Sequence, residues 1–385
     1  RRTLSKYPEI PAEAGEFDLV VVGGGIAGCC TAVSAARRGC KVALIQNRPI
    51  LGGNNSSEVR VGLSGLIRQE PYPELGNLVD ELGPVGHWNL WEANQEPDLP
   101  RSKRIFEIIK NNPEKTIHNA GPPSNYEDQR KLDVILAEEN ISLFLNMHAN
   151  EVEMEGDRIK SVTAQNIKTG EKLNFKGTQF ADCTGDGTLG YMAGNPWRWG
   201  HESRAEFDES MASDEPSPYT MGSSLLFQGR DFGRPMPFIA PEWAHKYPTH
   251  ESMHRDPGSP EYGYWWIEWG GMLNTIKDDD RIREELLKVL MGVWDHLKNH
   301  GDHGAENWGL DWFGFLPARR ENRRLMGAYV LRQDDLTSGR VFDDEVAYGG
   351  WPIDNHYPGG MDHKDEKFWF SNRLDDVYSI PLRSL

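Results

Sequence analysis

The stretch Phe17-Asp-Leu-Val-Val-Val-Gly-Gly-Gly-Ile-Ala-Gly28 sets the fold. The apolar run Leu19 to Val22 has the length of a buried strand. The alanine-rich segment from Ile26 to Arg38 suits a helix that Gly39 stops. Lys41-Val-Ala-Leu-Ile45 is a second buried strand, so the order β-turn-α-β predicts a parallel unit. Read through Gly23, Gly25 and Gly28, the turn is G-x-G-x-x-G in its required context, after a strand and opening a helix. Gly23 permits the tight turn, Gly25 lets backbone approach a pyrophosphate, and Gly28 lets the helix pack close to the sheet. The helix start adds N–H donors and a positive dipole end for the phosphates. A tight turn without a ligand is the plainer alternative, and the complete β-α-β context weighs against it.

An acid is expected at the end of the second strand, roughly 20 residues on, to hold ribose hydroxyls. Gln46 stands there instead, followed by Asn47 and Arg48. Its amide can bond a hydroxyl without charge assistance, at a loss of about 1 kcal/mol. Leu51-Gly-Gly53 follows, where backbone can approach a large planar cofactor. Phe180-Ala-Asp-Cys-Thr-Gly-Asp-Gly187 is again a strand running into a glycine turn.

Together these three glycine turns resemble those of the FAD-dependent oxidoreductases of the glutathione-reductase-like superfamily, and most of all its large bacterial members. Glu202-Ser-Arg-Ala-Glu206, Arg320-Glu-Asn-Arg-Arg324, Tyr329-Val-Leu331 with Asp334-Asp-Leu336, and Trp351-Pro-Ile-Asp-Asn-His356 are similar to motifs of that group. The resemblance runs from Tyr7 onward. It implies an α/β protein with FAD extended across a doubly wound, Rossmann-like domain and a mixed α+β substrate domain capping the flavin. It implies that Gly23, Gly25 and Gly28 hold the pyrophosphate and Gln46 the ribose. Arg48, Gly52 and Gly53 would line the flavin side, Val152 would meet adenine through its backbone, and Thr184, Gly185 and Asp186 would close the pocket. It also implies a further strand and glycine-rich helix completing the flavin domain, and this C-terminal return is expected to be missing at Leu385. NAD in the same pocket is permitted by the fingerprint, but the Leu51-Gly-Gly53 turn argues against it.

Length and composition frame this reading. A chain of 385 residues suggests about two domains. The expected division is an arm over residues 1–16, a Rossmann-like FAD domain with inserted loops and a β-meander over 17–194, and a substrate domain over 195–385. Acidic residues outnumber basic ones, 59 to 42, and the net charge of -17 disfavours nucleic-acid backbones and anionic lipid surfaces. No apolar run approaches the roughly 20 residues that span a bilayer. Four cysteines, Cys29, Cys30, Cys40 and Cys183, include no C-x-x-C pair, so neither a metal knuckle nor a redox disulfide is expected. The chain opens on Arg1, which suggests processing or trimming, and leaves the compartment open between cytoplasm and periplasm. A small-molecule substrate is the expected partner, and a homo-oligomer stays open.

Further along, Tyr126–Asn140 reads as a helix with Leu132, Ile135 and Leu136 on one face, and Ile141–Met147 as a strand. Residues 151–182 read as a meander turning at Gly156-Asp157 and Thr169-Gly170. Asp186–Ala193 is a short helix. Asp278–His300 is the clearest helix, with acids at its start and a stripe of Ile282, Leu286, Leu290, Val293 and Leu297. Ala318–Leu331 reads as another helix, and the tail from Gly349 as irregular.

Four constellations carry chemistry. Arg320 and Arg324 would share a helix face, one of them holding an anionic substrate or stabilising negative charge on reduced flavin; salt bridges to an acidic chain are the bland alternative. Asp354 and His356 lie two apart, and a carboxylate beside an imidazole makes a proton-transfer group, the base an alcohol oxidation needs. His296, His300 and His303 could share a helix face, but favourable charge at a helix end explains them, and no metal is expected. Thirteen tryptophans suit a core for the most part, with one or two at a substrate mouth. The expected chemistry is hydride transfer between flavin and a small polar substrate, with carbohydrates or polyols slightly preferred. The alternative is a non-catalytic or truncated flavin-fold relative that binds carbohydrate or another ligand.

Overall fold

In the computed structural model, β1 (Ala12–Val22) runs parallel to β2 (Val42–Gln46) on one side and to β6 (Lys172–Asp182) on the other. The structure describes residues 11–65, 70, 72–83, 97–98, 103, 106, 110, 119–253, 255, 257–363, 369–372, 374 and 376–385. With β3 (Ile141–Leu145), β4 (Met147–Glu155) and β5 (Arg158–Asn166) the sheet has six strands in the order β3-β2-β1-β6-β5-β4. The four strands β3, β2, β1 and β6 are parallel, and β5 and β4 run antiparallel beyond them. This is an α/β, Rossmann-like architecture, joined to a second unit of mixed α and β elements.

The alternation of β1 explains the layers. Leu19 and Val21 face the layer of α1 (Ile26–Ala36), where Cys29, Ala32 and Val33 are buried. Val20 and Val22 face the opposite layer with Phe17, Phe175, Val162 and Met147. α2 (Leu75–Leu82) and α3 (Asp128–Leu136) supply Leu82 and Ile135 to the α1 side. The meander turns at the expected places, and α4 (Thr188–Met192) follows it.

Cα packing divides the chain into two units. One takes in the chain up to Ser56, Asn77–Gly83 and Glu127–Trp197; the other takes in Ser57–Gly76, Pro84–Tyr126 and Arg198–Leu385. The second unit is built around α5 (Asp279–Asn299), whose Ile282, Leu286, Leu290, Val293, Trp294 and Leu297 are all buried. They pack with Phe227, Tyr264, Trp266 and Ile267. Short antiparallel pairs surround this core. β7 (Ser223–Ser224) pairs with β9 (Glu268–Trp269), and β8 (Phe227–Asp231) with β10 (Trp308–Phe313). β11 (Glu345–Gly349) pairs with β14 (Tyr378–Pro381), and β12 (Ile353–His356) with β13 (Trp369–Asn372).

Four expectations change. Residues 12–16 are not a surface arm but the start of β1, because Ala12, Glu13, Gly15 and Glu16 find ladder partners along the long β6, with a bulge at Ala14; residues 1–10 lie outside the described residues. In α3 Leu136 is 63% exposed, while Lys131 is fully buried. Residues 318–323 are not helical, and Arg324–Leu325 forms a two-residue strand. Their guanidinium groups bond to separate elements, which a helical run would not allow. The tail is not irregular where described: it carries β11 to β14, whose alternating residues satisfy one another pairwise.

Candidate functional site

The first unit brings its three glycine turns together. A Cβ on Gly28 would stand 1.8 Å from the Gly23 carbonyl oxygen, so α1 can start this close to the turn only with glycine there. A Cβ on Gly23, whose φ is +107°, would meet the Cys183 carbonyl oxygen at 2.2 Å. The third turn is thus laid against the first. The second is tied to it by the Gly52 N–H donating to the Gly24 carbonyl at 2.8 Å and by a parallel bridge between Gly25 and Gly52. Gly25 is different. Its φ is -66°, which any residue can adopt, and a Cβ there would meet nothing within 4 Å. The fold does not require glycine at this position. A ligand that approaches the backbone does.

α1 begins at Gly25 with no side chain capping it and no acid in its first turn. Its first N–H groups and the dipole therefore present an anion-binding end. The site fits the pyrophosphate of a dinucleotide.

Gln46 has a part other than the one expected of it. It is buried, its Oε1 accepts from the Gly24 N–H at 2.9 Å, and its Nε2 donates to the Ile50 carbonyl at 3.0 Å. The neutral amide, with one acceptor and one donor arm, joins the fingerprint turn to the chain leaving β2. A carboxylate could not make the second bond. Arg48 is half-buried beyond it, and its carbonyl accepts from Asn146. Asp182 organises the third turn: Oδ1 accepts from the Thr184 N–H and hydroxyl, and Oδ2 from the Gly190 N–H. Thr184 Oγ1 in turn accepts from Thr188 N–H. Gly185 has φ +78° and an unfilled Cβ position, beside Asp186. Val152 lies in β4 opposite Val162 and packs on the layer of Phe17 and Val20.

Lys131 was not legible as part of this site. It is buried, its Cε would lie 3.0 Å from a Cβ on Gly52, and its Nζ 3.5 Å from one on Gly83. Burial lowers its pKa, against the pull of Asp128. The cysteines are packing residues: burial pushes the Cys29 thiol up to about 12 and Cys30 up to about 11, so both stay protonated at neutral pH.

The second unit holds a polar cluster of its own. His356, at the end of β12, is 5% exposed. Its Nδ1 lies 2.6 Å from Glu268 Oε2 and its Nε2 3.4 Å from Asp354 Oδ2. Glu268 is fully buried, and Arg320 Nε stands 3.4 Å from the same Oε2. Arg320 also donates to Ser224 Oγ at 2.9 Å and to the Trp265 carbonyl at 3.3 Å. Trp265 lies against the His356 ring, with centroids 4.9 Å apart. Burial pulls the His356 pKa down, but the hydrogen bonds to Asp354 and Glu268 outweigh it and hold the pKa above its ordinary value. Glu268 Oε1 has no hydrogen-bond partner among the described residues, so one buried carboxylate oxygen stays available to a water or ligand. Glu268 carried no sequence signal beyond its place in the aromatic run Tyr262 to Gly271.

Arg324 stands apart from this cluster. It ion-pairs with Glu321 and Glu202 and donates to the Gly200 carbonyl at 2.5 Å. Glu321 also meets His201 Nε2 at 3.1 Å and the Met221 N–H at 3.2 Å. This is the bland reading of the arginine run, realised for Arg324. Arg319 likewise pairs with Asp279. Of the tryptophans, Trp266 and Trp294 are buried in the α5 core, while Trp243 is 51% exposed.

Residues 18–385 match the protein family described as FAD dependent oxidoreductase. Among curated proteins, a glycerol-3-phosphate dehydrogenase of Mycobacterium leprae (strain TN) is 43% identical over 51 residues, 13% of this chain and 9% of that protein. Glycerol-3-phosphate dehydrogenase 2 of Mycobacterium tuberculosis (strain ATCC 25618 / H37Rv) matches to the same extent. The chain thus spans about a tenth of the length of the curated relatives it matches. Among solved structures, a myxobacterial FAD-dependent chondrochloren halogenase aligns with a TM-score of 0.34 at 17% identity, over 58% of this chain and 45% of that one. The glycerol-3-phosphate dehydrogenase of Bacillus halodurans complexed with FAD aligns with a TM-score of 0.33 at 15% identity, over 58% and 41%. Among the described residues no helix is long and apolar enough to cross a membrane.

Proposed function

The chain belongs to the FAD dependent oxidoreductase family, and from that premise we propose that it transfers hydride between a small polar substrate, a polyol or carbohydrate by preference, and FAD. The observation that carries the cofactor reading is the Gly25 cradle: a position where the fold tolerates a side chain and the sequence has none, at an uncapped helix start. Gly23, Gly25 and Gly28 would hold the pyrophosphate. Gly52 and Gly53 would lie along the flavin, with Arg48 beside them. Thr184, Gly185 and Asp186 would close the pocket, and Val152 would meet adenine through its backbone. Gln46 would shape the turn rather than bind the ribose by its amide. Membership of the glutathione-reductase-like superfamily is part of this proposal and rests on the three glycine turns.

FAD, when bound, supplies the hydride acceptor or donor. The chain's own residues handle the proton. His356 would take the hydroxyl proton of an alcohol, with Glu268 orienting its ring and Asp354 at the other nitrogen. Because those carboxylates favour the imidazolium, the ring serves as a base only above its raised pKa and as an acid below it. Arg320, rather than Arg324, is the electrostatic group: it shares Glu268 with His356, whereas Arg324 is held by Glu321 and Glu202. The short likeness to glycerol-3-phosphate dehydrogenases is compatible with a polyol or its phosphate.

The test is anaerobic mixing of the FAD-loaded chain with glycerol, glycerol 3-phosphate, hexitols and hexoses. Bleaching of the flavin absorbance by one of them supports the proposal. An oxidised spectrum with all of them, from a chain whose flavin dithionite does reduce, removes the polyol reading.

A further inference from the structure

α5 ends at Asn299, and three histidines from three separate segments converge beside that end. His296 lies in the last turn of the helix, His303 in the turn that follows it, and His250 opens a single 3-10 turn, His250–Ser252. One ring nitrogen from each lies within 4.8 Å of the others. Ring centroids are 5.1 Å apart for His250 and His296, 5.1 Å for His250 and His303, and 4.9 Å for His296 and His303. Sequence spacing pointed to a different trio, with His300. In the structure His300 stacks on His296 at 6.3 Å but gives its Nε2 to Asp295, 3.5 Å away, and stands outside the trio.

Two of the rings are already set as ligands. His296 is 1% exposed, and its Nδ1 donates to the Tyr247 carbonyl at 2.6 Å. That fixes the tautomer and leaves the Nε2 lone pair facing inward. The His303 ring lies 4.9 Å from the His296 ring, centroid to centroid. The Nε2 atoms of both His296 and His303 are buried and have no hydrogen-bond partner among the described residues. Two buried acceptors left unmatched in one cluster call for an occupant. Gly301, at φ +112°, lets the His303 ring lie where it does: a Cβ there would meet His303 Nε2 at 2.9 Å.

We propose that His250, His296 and His303 bind one divalent transition-metal ion of the zinc class, with a fourth position left for water or an outside ligand. Three imidazole nitrogens and an open position are a known zinc arrangement, and at Zn–N distances of about 2.0–2.1 Å a tetrahedral site sets its nitrogens roughly 3.3 Å apart. Binding therefore draws the nitrogens together by at most about 1.5 Å from the 4.8 Å limit. The exposed His250 turn is the part that can move without repacking the core. A cavity of about 460 Å³, lined among others by Met236, Lys298, Gly301, Asp302 and His303, gives a way in. The ion would pin the His250 turn to the end of α5. The site does not depend on the flavin reading.

The experiment uses the tag-free chain, stripped with EDTA and titrated with Co²⁺ and then with Zn²⁺. The expected result is one Co²⁺ per chain, with tetrahedral d–d bands to the red of any flavin absorption, displaced by one equivalent of Zn²⁺. His250→Ala and His303→Ala should each weaken Zn²⁺ binding by more than the roughly 10- to 100-fold that loss of an outer-shell partner costs. His300→Ala should leave it unchanged. His250 sits on an exposed turn, so its variant folds whatever becomes of the others. Absence of stoichiometric binding by the folded wild-type chain overturns the proposal, leaving water as the occupant. So does binding that survives His250→Ala but fails with His300→Ala.

Discussion

Gly25→Ala and Gly28→Ala separate what the fingerprint does for the fold from what it does for a ligand. At Gly28 the added methyl would lie 1.8 Å from the Gly23 carbonyl oxygen and 3.2 Å from Cys183 Cβ. Neither contact is with a flexible side-chain end, so α1 must retreat from the turn. The cost is at or beyond the upper end of the about 1–3 kcal/mol of an overpacked core. At Gly25 the methyl would meet nothing within 4 Å, and φ is -66°. Alanine there gains about 0.4–1 kcal/mol by restricting the unfolded chain and loses a similar amount as a poorer N-cap than glycine. The net effect stays within about 1 kcal/mol, a shift of roughly 4 °C or less in Tm for a chain of this size. The methyl does fall where a pyrophosphate would approach, and a misfit of about 1–3 kcal/mol weakens FAD roughly 5- to 150-fold. Thermal unfolding without FAD and quenching of flavin fluorescence on titration read the two effects apart. Gly28→Ala should lower Tm sharply; Gly25→Ala should keep Tm and lose FAD. Unchanged FAD affinity in a Gly25→Ala chain that folds normally would refute the cradle.

The remaining predictions concern charge. If His356 is the base, kcat/KM for alcohol oxidation rises with pH through an inflection above the about 6.5 of a free histidine. His356→Gln abolishes that limb, and Glu268→Gln, which removes one of the groups holding the proton on, moves it down. The same raised pKa makes the stabilisation from His356 full below pH about 6.5 and lost as pH rises through the folded value, so urea midpoints of wild type and His356→Gln should converge at alkaline pH. For Glu321, burial raises the pKa, but His201, Arg324 and the Met221 N–H outweigh it and leave it depressed. Its stabilisation is present above about pH 4.3 and lost as pH falls through the folded value. Glu321→Gln should cost about 1 kcal/mol, the upper end of the range for exposed pairs, because Glu321, His201 and Arg324 are only half-buried; urea unfolding at neutral pH measures it.

The first unit was legible because its signals are local. A strand, a glycine turn, an alanine-rich helix and a second strand follow one another without a break, and Gly28 answers to the Gly23 carbonyl one turn away. The meander was marked by Gly156 and Gly170, both in left-handed conformations. Lys131 was not legible, since a lysine in a helical stripe normally faces water; here it is buried by the Gly52 turn, while Leu136, expected on the apolar face, is exposed. Arg319 to Arg324 has a helical look, but Arg319, Arg320 and Arg324 reach acceptors on distant segments, Asp279, Ser224 and Glu202. Glu268 and His356 are 88 residues apart, and His250 lies on a different segment from His296. Spacing arguments see only one element at a time, so they found Asp354, which does face His356 Nε2, missed Glu268, and offered His300 for His250.

The most direct measurement is the visible absorbance of the wild-type chain after incubation with FAD and gel filtration, taken before and after denaturation. The account predicts paired flavin bands that elute with the protein at one per chain and become those of free FAD on unfolding. A chain that is folded by circular dichroism yet elutes colourless, with all the FAD in the small-molecule fraction, would contradict it.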